Sequence, residues 1–296
     1  MISRRWHKKD RLMYFIFSIP GLLLFCLFIL TPLVLGFYYS MTDWDGISVK
    51  FNFVGIRNFI ELASDMRVAN SLFITFKYTF FITVVITILA IFLAIILNSS
   101  IKHTTFFRSI FFFPAVLSMI TVGLIFSQIY FKPLPMIGKA LGIGILSSNL
   151  LASKSTALFA IILIHIWHGT AVPTVMYIAG LQSIPGELLE SAMIDGANPI
   201  QRFRAIVFPF IAPVMKVSLV LLVKSGITQF DYIKATTEGG PGAATETVSA
   251  LIMDQAFGYS MKYGYAITES ILLFAILVLV SLFQFNILGK KEVGQQ

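Results

Sequence analysis

The length, composition and charge of this chain exclude an ordinary soluble protein. Its 296 residues are 57% hydrophobic and 12% charged, whereas soluble domains carry about 25% charged residues. The formal net charge of +8 would suit a nucleic-acid-binding surface, but the basic residues flank apolar runs, which is typical of membrane proteins. We therefore expect lipid to be the main solvent and expect no nucleic-acid partner. The single cysteine, Cys26, can form neither an internal disulfide nor a thiolate metal site.

Six apolar stretches are long enough to cross a bilayer, since a spanning helix needs about 20 mainly apolar residues. The first is far longer than the apolar part of a cleaved signal peptide, which has about 7–15 residues, so we expect it to be retained. Helices are expected because backbone groups in lipid must be paired internally. The sequence predicts an all-α integral membrane protein with six transmembrane helices, at about 13–39, 71–98, 106–130, 156–180, 206–230 and 264–288.

Basic residues set the predicted orientation, because Lys and Arg are enriched in cytoplasmic segments. Five of them, Arg4, Arg5, Lys8, Lys9 and Arg11, precede the first predicted helix. We therefore expect both termini in the cytoplasm. The predicted parts are a basic cytoplasmic N-terminus at 1–12, a single transmembrane domain at 13–288 and a cytoplasmic C-terminal tail at 289–296.

Two segments on the predicted outer side are too patterned to be bare linkers. Segment 41–70 places aromatic residues such as Trp44 and Phe51 among charges, and aromatic side chains favour the membrane interface. We expect this segment to fold onto the membrane surface, and we expect segment 131–155 to be ordered as well.

A short cytoplasmic helix is predicted at about 184–197, between the fourth and fifth membrane helices. Pro185 suits a first turn, where its missing N–H matters least, and Glu187 favours the helix dipole there. Gly196 and the Asn198-Pro199 pair then end the helix. A helix lying on the membrane surface would need a basic polar face, and this one carries no Lys or Arg, so insertion into a groove of a partner protein is favoured.

The residues of this helix also carry a resemblance to a known family. Glu190-Ser-Ala-Met-Ile-Asp-Gly-Ala197, with Phe203, Pro209 and Pro213 after it, resembles the EAA motif of ABC importer permeases. Ser191 departs from the usual second alanine of that motif but is similarly small. Further segments resemble the sugar-transporter branch of the family, at Gly180–Pro185, Gly239–Gly242 and Phe106–Pro114.

The resemblance implies a carbohydrate-type permease subunit in a prokaryotic inner membrane, crossing it several times. The helix bearing the motif is then a coupling helix docked on a cytoplasmic ATPase. Its implied contact residues are Glu187, Glu190, Ala192, Asp195, Gly196 and Ala197. Glu190 is expected to pair with a basic ATPase residue, and Gly196 to allow a tight turn. Asp195 has a simple alternative role, the capping of a neighbouring backbone group.

The same resemblance implies the partners and the position of ATP. They are a second homologous permease subunit, two ABC ATPase subunits and an extracytoplasmic binding protein that delivers a sugar. ATP and Mg are expected on the ATPase subunits, with no cofactor on this chain. In agreement, the sequence contains no G-x-x-x-x-G-K-[ST] phosphate-binding loop, so we expect the chain not to be an enzyme.

Polar residues at membrane depth are costly and often face an internal path. One candidate face lies on the fourth helix and another on the fifth, and we predict that both line a sugar-sized cavity. The alternative is hydrogen bonding between helices, worth about 1 kcal/mol for each bond. The predicted substrate-path residues are His165, His168, Gly169, Lys224, Ser225, Thr228 and Gln229.

Two other functions remain open from the sequence. A permease of the same family for glycerol phosphate or another polyol is one, since Lys224 can face a phosphate. A self-sufficient secondary transporter is the other, but that class uses membrane carboxylates or internal repeats for ion coupling. None of the six predicted spans has a central Asp or Glu, which favours the ATP-driven importer.

Overall fold

The computed structural model describes residues 8–98, 104–259 and 261–289. Most of the predicted basic N-terminus and C-terminal tail therefore lies outside the described residues. Where the chain is described it is mostly helical, with β-type pairing only in an isolated bridge between Thr42 and Phe53. The helices are α1 (Lys8–Phe25), α2 (Thr31–Tyr39), α3 (Arg57–Ser64), α4 (Met66–Leu97), α5 (Thr104–Phe112), α6 (Met119–Phe131), α7 (Pro133–Ala140), α8 (Ala157–Gly169), α9 (Ala171–Gln182), α10 (Gly186–Ile194), α11 (Pro199–Arg202), α12 (Phe208–Ile227), α13 (Asp231–Thr236), α14 (Val248–Phe257) and α15 (Tyr263–Gly289).

The predicted all-α membrane class is confirmed. Five helical stretches among the described residues are long and apolar enough to span a membrane, and the bent pair α8–α9 makes a sixth if it counts as one span. The five are Met13–Tyr39, Met66–Leu97, Met119–Ala140, Pro199–Ile227 and Tyr263–Asn286.

Proline explains two wide turns within the spans. Between α1 and α2, a π-helical turn covers Cys26–Leu30, and the Thr31 N–H donates to the Cys26 carbonyl. A second π-helical turn, Phe203–Val207, joins α11 to α12. Pro32 and Pro209 follow shortly after these turns, and each lacks the N–H that a regular helix would use. The wide turns absorb this missing donor without breaking the span.

The third predicted helix differs from the structure because it is interrupted. Continuous helix was expected over 106–130, but α5 passes into a 3₁₀ turn at Phe113–Val116. Leu117 then adopts an extended conformation, with φ −79° and ψ 147°, and Ser118 begins α6 as its N-cap. Pro114 sits in the 3₁₀ turn and cannot donate to a regular helix there. The stretch long enough to span is instead α6 with α7.

The fourth predicted helix is bent for a related reason. α8 and α9 meet at Thr170 with an angle of 41° between them. Pro173 lies in the first turn of α9 and cannot donate to the carbonyl of Gly169. The Thr170 hydroxyl donates to the Ile166 carbonyl at the bend. Proline and a side-chain hydrogen bond together are recognised causes of a helix kink.

Residues 8–64 with 252–259 and 261–272 form one compact unit. Within it, the Asn58 amide donates to the Ser40 and Thr42 carbonyls at 2.8 and 2.9 Å. The Trp44 ring stacks on Tyr39 with centroids 4.5 Å apart. Segment 41–64 is thus an ordered segment held by hydrogen bonds and aromatic contacts.

The second compact unit holds the rest of the chain, residues 65–251 and 273–289 among those described. α4 packs against α8, α9 and α12 there. The hypothetical Cβ of Gly226 in α12 would lie 2.8 Å from the Thr79 Cα, so only glycine permits this approach. Close approach through small residues is typical of membrane helix packing. One face of α4 is buried at every fourth residue, at Ile74, Tyr78, Ile82, Ile86, Ala90 and Ala94.

Candidate coupling segment and substrate path

The predicted coupling segment forms α10, a separate helix of nine residues between two spans. Pro185 precedes it as the N-cap with φ −60° and ψ 129°, one position before the predicted first turn. At the other end Gly196 has φ 77°, a conformation that glycine adopts without steric cost. The Ala197 N–H donates to the Ala192 carbonyl at 2.9 Å, which closes the helix in the manner of a Schellman turn.

The side chains of α10 are largely exposed. The carboxylates of Glu187, Glu190 and Asp195 all face solvent, and Ile194 is 87% exposed. At the C-terminal end of α10, the Asp195 backbone N–H donates to the Ser191 carbonyl at 2.9 Å, while its carboxylate is exposed. Gly196 is exposed, and Ala192 and Ala197 are half-buried. An isolated helix with acidic groups and an apolar tip suits insertion into a basic, partly apolar groove.

The chain after α10 is fixed by a capping box. The Asn198 side chain accepts from the Gln201 N–H at 2.9 Å, and the Gln201 side chain accepts from the Asn198 N–H at 2.8 Å. This reciprocal pair satisfies two N–H groups at the start of α11. A cavity of about 610 Å³ lies alongside, lined by Leu189 and Met193 of α10 among others. The connection from α10 to α11 is therefore held in a defined conformation.

The two intramembrane histidines lie in a buried polar layer. The Tyr78 hydroxyl lies 2.8 Å from His165 Nδ1, and the Tyr232 hydroxyl lies 2.7 Å from His168 Nδ1. His168 Nε2 lies 3.2 Å from the Leu117 carbonyl. That carbonyl lies in the break between α5 and α6. His168 therefore contacts this break through Leu117 and α13 through Tyr232. In this chain both histidines make the helix-to-helix hydrogen bonds that the sequence left as an alternative.

Gly169 has a packing requirement beside the same layer. A Cβ at Gly169 would lie 2.8 Å from His165 Cδ2 and 3.1 Å from Ile86 Cδ1. A side chain here would therefore displace His165 or push α8 away from α4. The absence of a side chain serves the packing of the layer.

The fifth-helix candidates separate into exposed and buried residues. Lys224 and Thr228 are exposed and Ser225 is half-buried. Gln229 is buried, and with its amide oxygen turned towards α13 it accepts from the Tyr232 and Asp231 N–H groups at 3.0 and 3.2 Å. Gln229 therefore caps the start of α13. The seven predicted residues thus divide between buried positions (His165, His168 and Gln229), half-buried positions (Gly169 and Ser225) and exposed positions (Lys224 and Thr228).

A cavity of about 370 Å³ lies at the helix bend. Trp167, Thr170 and Thr174 line one side of it, opposite Leu89 and Leu93 of α4, and α5 closes it. These residues lie on the neighbouring side of α8 and α9 from the histidines. The 41° bend at Thr170 tilts the axis of α9 away from that of α8. The spacing of residues along one straight helix therefore does not predict which side of α8 and α9 borders the cavity.

Comparison with known proteins decides the family. The family described as "Binding-protein-dependent transport system inner membrane component" matches residues 86–291. The chain belongs to this family. It is therefore an inner-membrane transport subunit that crosses the bilayer several times, and the matched region contains α10, both histidines of the polar layer and the helix-bend cavity.

Relatives of this permease subunit align over almost their whole length. The "Multiple sugar-binding transport system permease protein MsmF" of Streptococcus mutans is 40% identical, covering 94% of this chain and 95% of the relative. The "Probable starch degradation products transport system permease protein AmyD" of Thermoanaerobacterium thermosulfurigenes is 32% identical, covering 96% and 97%. The "Trehalose/maltose transport system permease protein MalF" of Thermococcus litoralis is 31% identical, covering 98% and 96%.

A solved structure supports the fold. One chain in the crystal structure of a bacterial ABC transporter involved in the import of the acidic polysaccharide alginate has a TM-score of 0.80. The alignment covers 97% of this permease subunit and 98% of that chain, at 19% identity. The predicted ABC permease fold is thereby confirmed, and the predicted family is confirmed by the match over residues 86–291.

Sequence reasoning missed Tyr78 and Leu117 as partners of the histidines. A tyrosine in an apolar run signals a hydrogen-bonding group that needs a partner, so Tyr78 carried a usable signal. Leu117 carried none, because its role comes from a backbone carbonyl freed by the helix break.

Proposed function

We propose that this chain is a membrane-spanning subunit of an ATP-driven importer for sugars or oligosaccharides. Three relatives of 31–40% identity are named for the transport of multiple sugars, starch degradation products or trehalose and maltose. Their alignment over at least 94% of this chain supports a shared role for the whole subunit. An extracytoplasmic binding protein delivers the substrate, as the family description implies for its members.

The observation that carries the proposal is the exposed α10 between two spans. Its acidic groups Glu187 and Glu190 face solvent, and its end is shaped by the left-handed Gly196. We infer that α10 docks in a groove of a cytoplasmic ABC ATPase and that Glu190 pairs with a basic residue there. Both termini of this chain then lie in the cytoplasm. ATP and Mg belong to two such ATPase subunits.

The substrate path of the proposal runs beside the helix bend. The exposed Lys224 and Thr228 and the half-buried Ser225 give α12 a polar face that a second, homologous permease subunit would meet. Trp167 lines the cavity at the bend, and its ring can pack on the apolar face of a sugar. His165, His168, Gly169 and Gln229 act on this path by holding α4, α8 and α13 in register.

ATP drives this path by population shift. ATP binding closes the ATPase pair, and closure moves the docked α10 of each permease subunit. A ligand shifts a conformational equilibrium only as far as it favours one state over the other. The difference in ATP affinity between the open and closed ATPase pair therefore limits how far ATP can shift the population between the permease conformations open to either side of the membrane.

The test is affinity purification of the tagged chain from its native membranes, comparing wild type with Glu190→Lys. Reversal of one charge in a docked helix should reduce ATPase recovery by at least about tenfold. Recovery of the second permease should stay unchanged. Glu61→Lys is the matched control, because Glu61 is an exposed glutamate on a different short helix, α3.

Two results would contradict the proposal. Equal ATPase recovery with Glu190→Lys and Glu61→Lys would remove α10 as the docking element. A wild-type chain that is purified alone and moves sugar across liposome membranes without ATP would be a secondary transporter.

A further inference from the structure

A third cavity, with a polar lining, lies at the far end of the α8–α9 pair from α10. Its volume is about 460 Å³. Ala152, which lines it, stands shortly before α8, whereas α10 directly follows α9. Because α8 and α9 run between these two points, the cavity opens on the side opposite to α10. Under the proposed function this is the extracytoplasmic side.

Three separate segments supply the walls of this outer cavity. Ser127, Gln128 and Phe131 come from the end of α6. Asn149 precedes the short 3₁₀ turn at Leu150–Ala152. Thr236, Thr237, Gly240 and Pro241 come from the end of α13 and the loop after it.

The lining combines uncharged polar groups with one exposed aromatic ring. Gln128 and Asn149 carry amides, which both donate and accept hydrogen bonds, and Thr236 and Thr237 carry hydroxyls. Phe131 is 67% exposed. None of the residues that line the cavity is ionisable, so the lining itself carries no charge.

The polar groups are already oriented by the protein. The side-chain Oδ1 of Asn149 accepts from the Leu151 N–H at 3.0 Å, which turns the amide NH₂ of Asn149 away from that turn. The Thr236 hydroxyl donates to the Tyr232 carbonyl at 2.6 Å, so its oxygen lone pairs are left to accept. The Thr237 hydroxyl lies 2.7 Å from that of Thr245. A ligand would therefore meet fixed donors and acceptors.

The loop that forms one wall is tied to α4. The Thr245 hydroxyl donates to the Gly240 carbonyl at 2.6 Å. The next residue, Glu246, accepts two hydrogen bonds from Arg67, at 2.7 and 2.9 Å. Two parallel bonds between Arg and a carboxylate fix geometry as well as position. The wall containing Gly240 is therefore preformed.

We propose that this cavity is an entry subsite for one neutral sugar unit of an oligosaccharide. A sugar ring has an apolar face that packs on an aromatic ring such as Phe131 and hydroxyls that need both donors and acceptors. The volume lies within the range of about 300–1,000 Å³ that is usual for small-molecule sites. The uncharged lining favours a neutral sugar over a phosphate ester. The inference rests on the proposed function for the direction of transport.

The single native cysteine allows a direct test in the full chain. In a Cys26→Ser background, Gln128→Cys is labelled with a membrane-impermeant maleimide, with and without maltotriose. Maltotriose should slow labelling saturably, by about tenfold at ten times its half-protecting concentration. Val49→Cys is the matched control, because Val49 is 96% exposed in segment 41–64, outside the membrane spans, and does not line the cavity. Its labelling should not respond to maltotriose.

Substitutions in the lining sharpen the test. Asn149→Ala in the Gln128→Cys background should raise the half-protecting concentration about tenfold, through the loss of ligand hydrogen bonds. Phe131→Ala should also raise it, and Phe131→Tyr should restore protection because it keeps the ring. Glycerol 3-phosphate at the same concentrations should give no protection.

Three outcomes would overturn the subsite. They are no protection of Gln128→Cys, equal protection of Val49→Cys, or protection by glycerol 3-phosphate as strong as that by maltotriose. The ATPase recovery described above separates this inference from the proposed function. Recovery of the ATPase without maltotriose protection removes the subsite and leaves the importer. Protection without ATPase recovery leaves the cavity as a sugar site and removes the importer.

Discussion

The coupling segment and the histidine layer treat polar residues in opposite ways. In α10 the carboxylates of Glu187 and Glu190 face solvent. In the layer, His165 and His168 are 3% and 8% exposed and each has a tyrosine partner. Exposed charges at a surface contribute little to folding, whereas buried polar groups cost free energy unless they are paired. The first region is thus available for a partner, and the second is occupied with holding the fold.

This difference explains why a role for the α10 motif is easier to infer from sequence than a role for polar residues within the membrane helices. A motif in an exposed helix keeps its residues available whatever the surrounding helices do. A polar residue within a membrane helix can face a substrate, a lipid or another helix, and packing alone decides which. His168 bonds both Tyr232 and the free carbonyl of Leu117, so its polarity is already used within the chain.

The largest expected effect comes from the same substitution, glycine to leucine, at a tightly packed position and at an open one. Gly226→Leu should lower the free energy of unfolding by about 3 kcal/mol, because a Cβ there already lies 2.7 Å from the Thr79 hydroxyl oxygen. Gly186→Leu in α10 is the matched control, since a Cβ at Gly186 meets nothing within 4 Å. It should change the free energy of unfolding by less than about 0.5 kcal/mol. Thermal unfolding in detergent measures both, and equal midpoints would contradict the close approach of α4 and α12.

A smaller effect tests the layer itself. His168→Ala should lower the free energy of unfolding by about 1–3 kcal/mol, because buried partners lose their hydrogen bonds. A double-mutant cycle of His168→Ala with Tyr232→Phe should give a coupling energy of about 1 kcal/mol. The cycle of His168→Ala with Tyr78→Phe should give less than about 0.5 kcal/mol, because Tyr78 bonds His165 instead. Similar coupling in both cycles would show that the two pairs are not distinct.

The smallest expected effect concerns an exposed carboxylate that has local partners. Asp45 accepts from the Ile47 and Ser48 N–H groups and from the Ser48 hydroxyl. These hydrogen bonds lower the pKa of Asp45 from the ordinary 3.8 to about 2, and the bond from the Ser48 hydroxyl has the largest effect. Because the folded pKa is depressed, the contribution to loop stability is complete above about pH 4 and is lost as the pH falls through about 2.

Trp44 reports this transition, since its indole N–H donates to the Ser48 carbonyl at 3.0 Å. In a Trp6→Phe and Trp167→Phe background, Trp44 emission should be constant from pH 7 to about 4 and change below it. Asp45→Asn should shift the emission at pH 7 towards the value that the Asp45 chain approaches as the pH falls through about 2. A transition centred near pH 6 would assign the change to another group.

Much of the architecture could be predicted from the sequence. The spans that begin at Met13, Met66, Pro199 and Tyr263 overlap predicted helices, since about 20 apolar residues define a span whatever their neighbours. α10 was predicted at 184–197 and observed at Gly186–Ile194, because proline and glycine act locally at its two ends. The family motif in α10 is likewise a property of adjacent residues.

What the sequence determined by itself was therefore the part governed by local rules, namely apolar length, helix punctuation and the exposed motif of α10. The tertiary structure decided the interruption at Leu117, the bend at Thr170 and the direction in which each polar side chain faces. It also decided that Ser127, Asn149 and Thr237, far apart in the chain, share one cavity. These features depend on which carbonyls lose their helical partners and on which helices approach closely, and both follow from packing between segments that are distant in sequence.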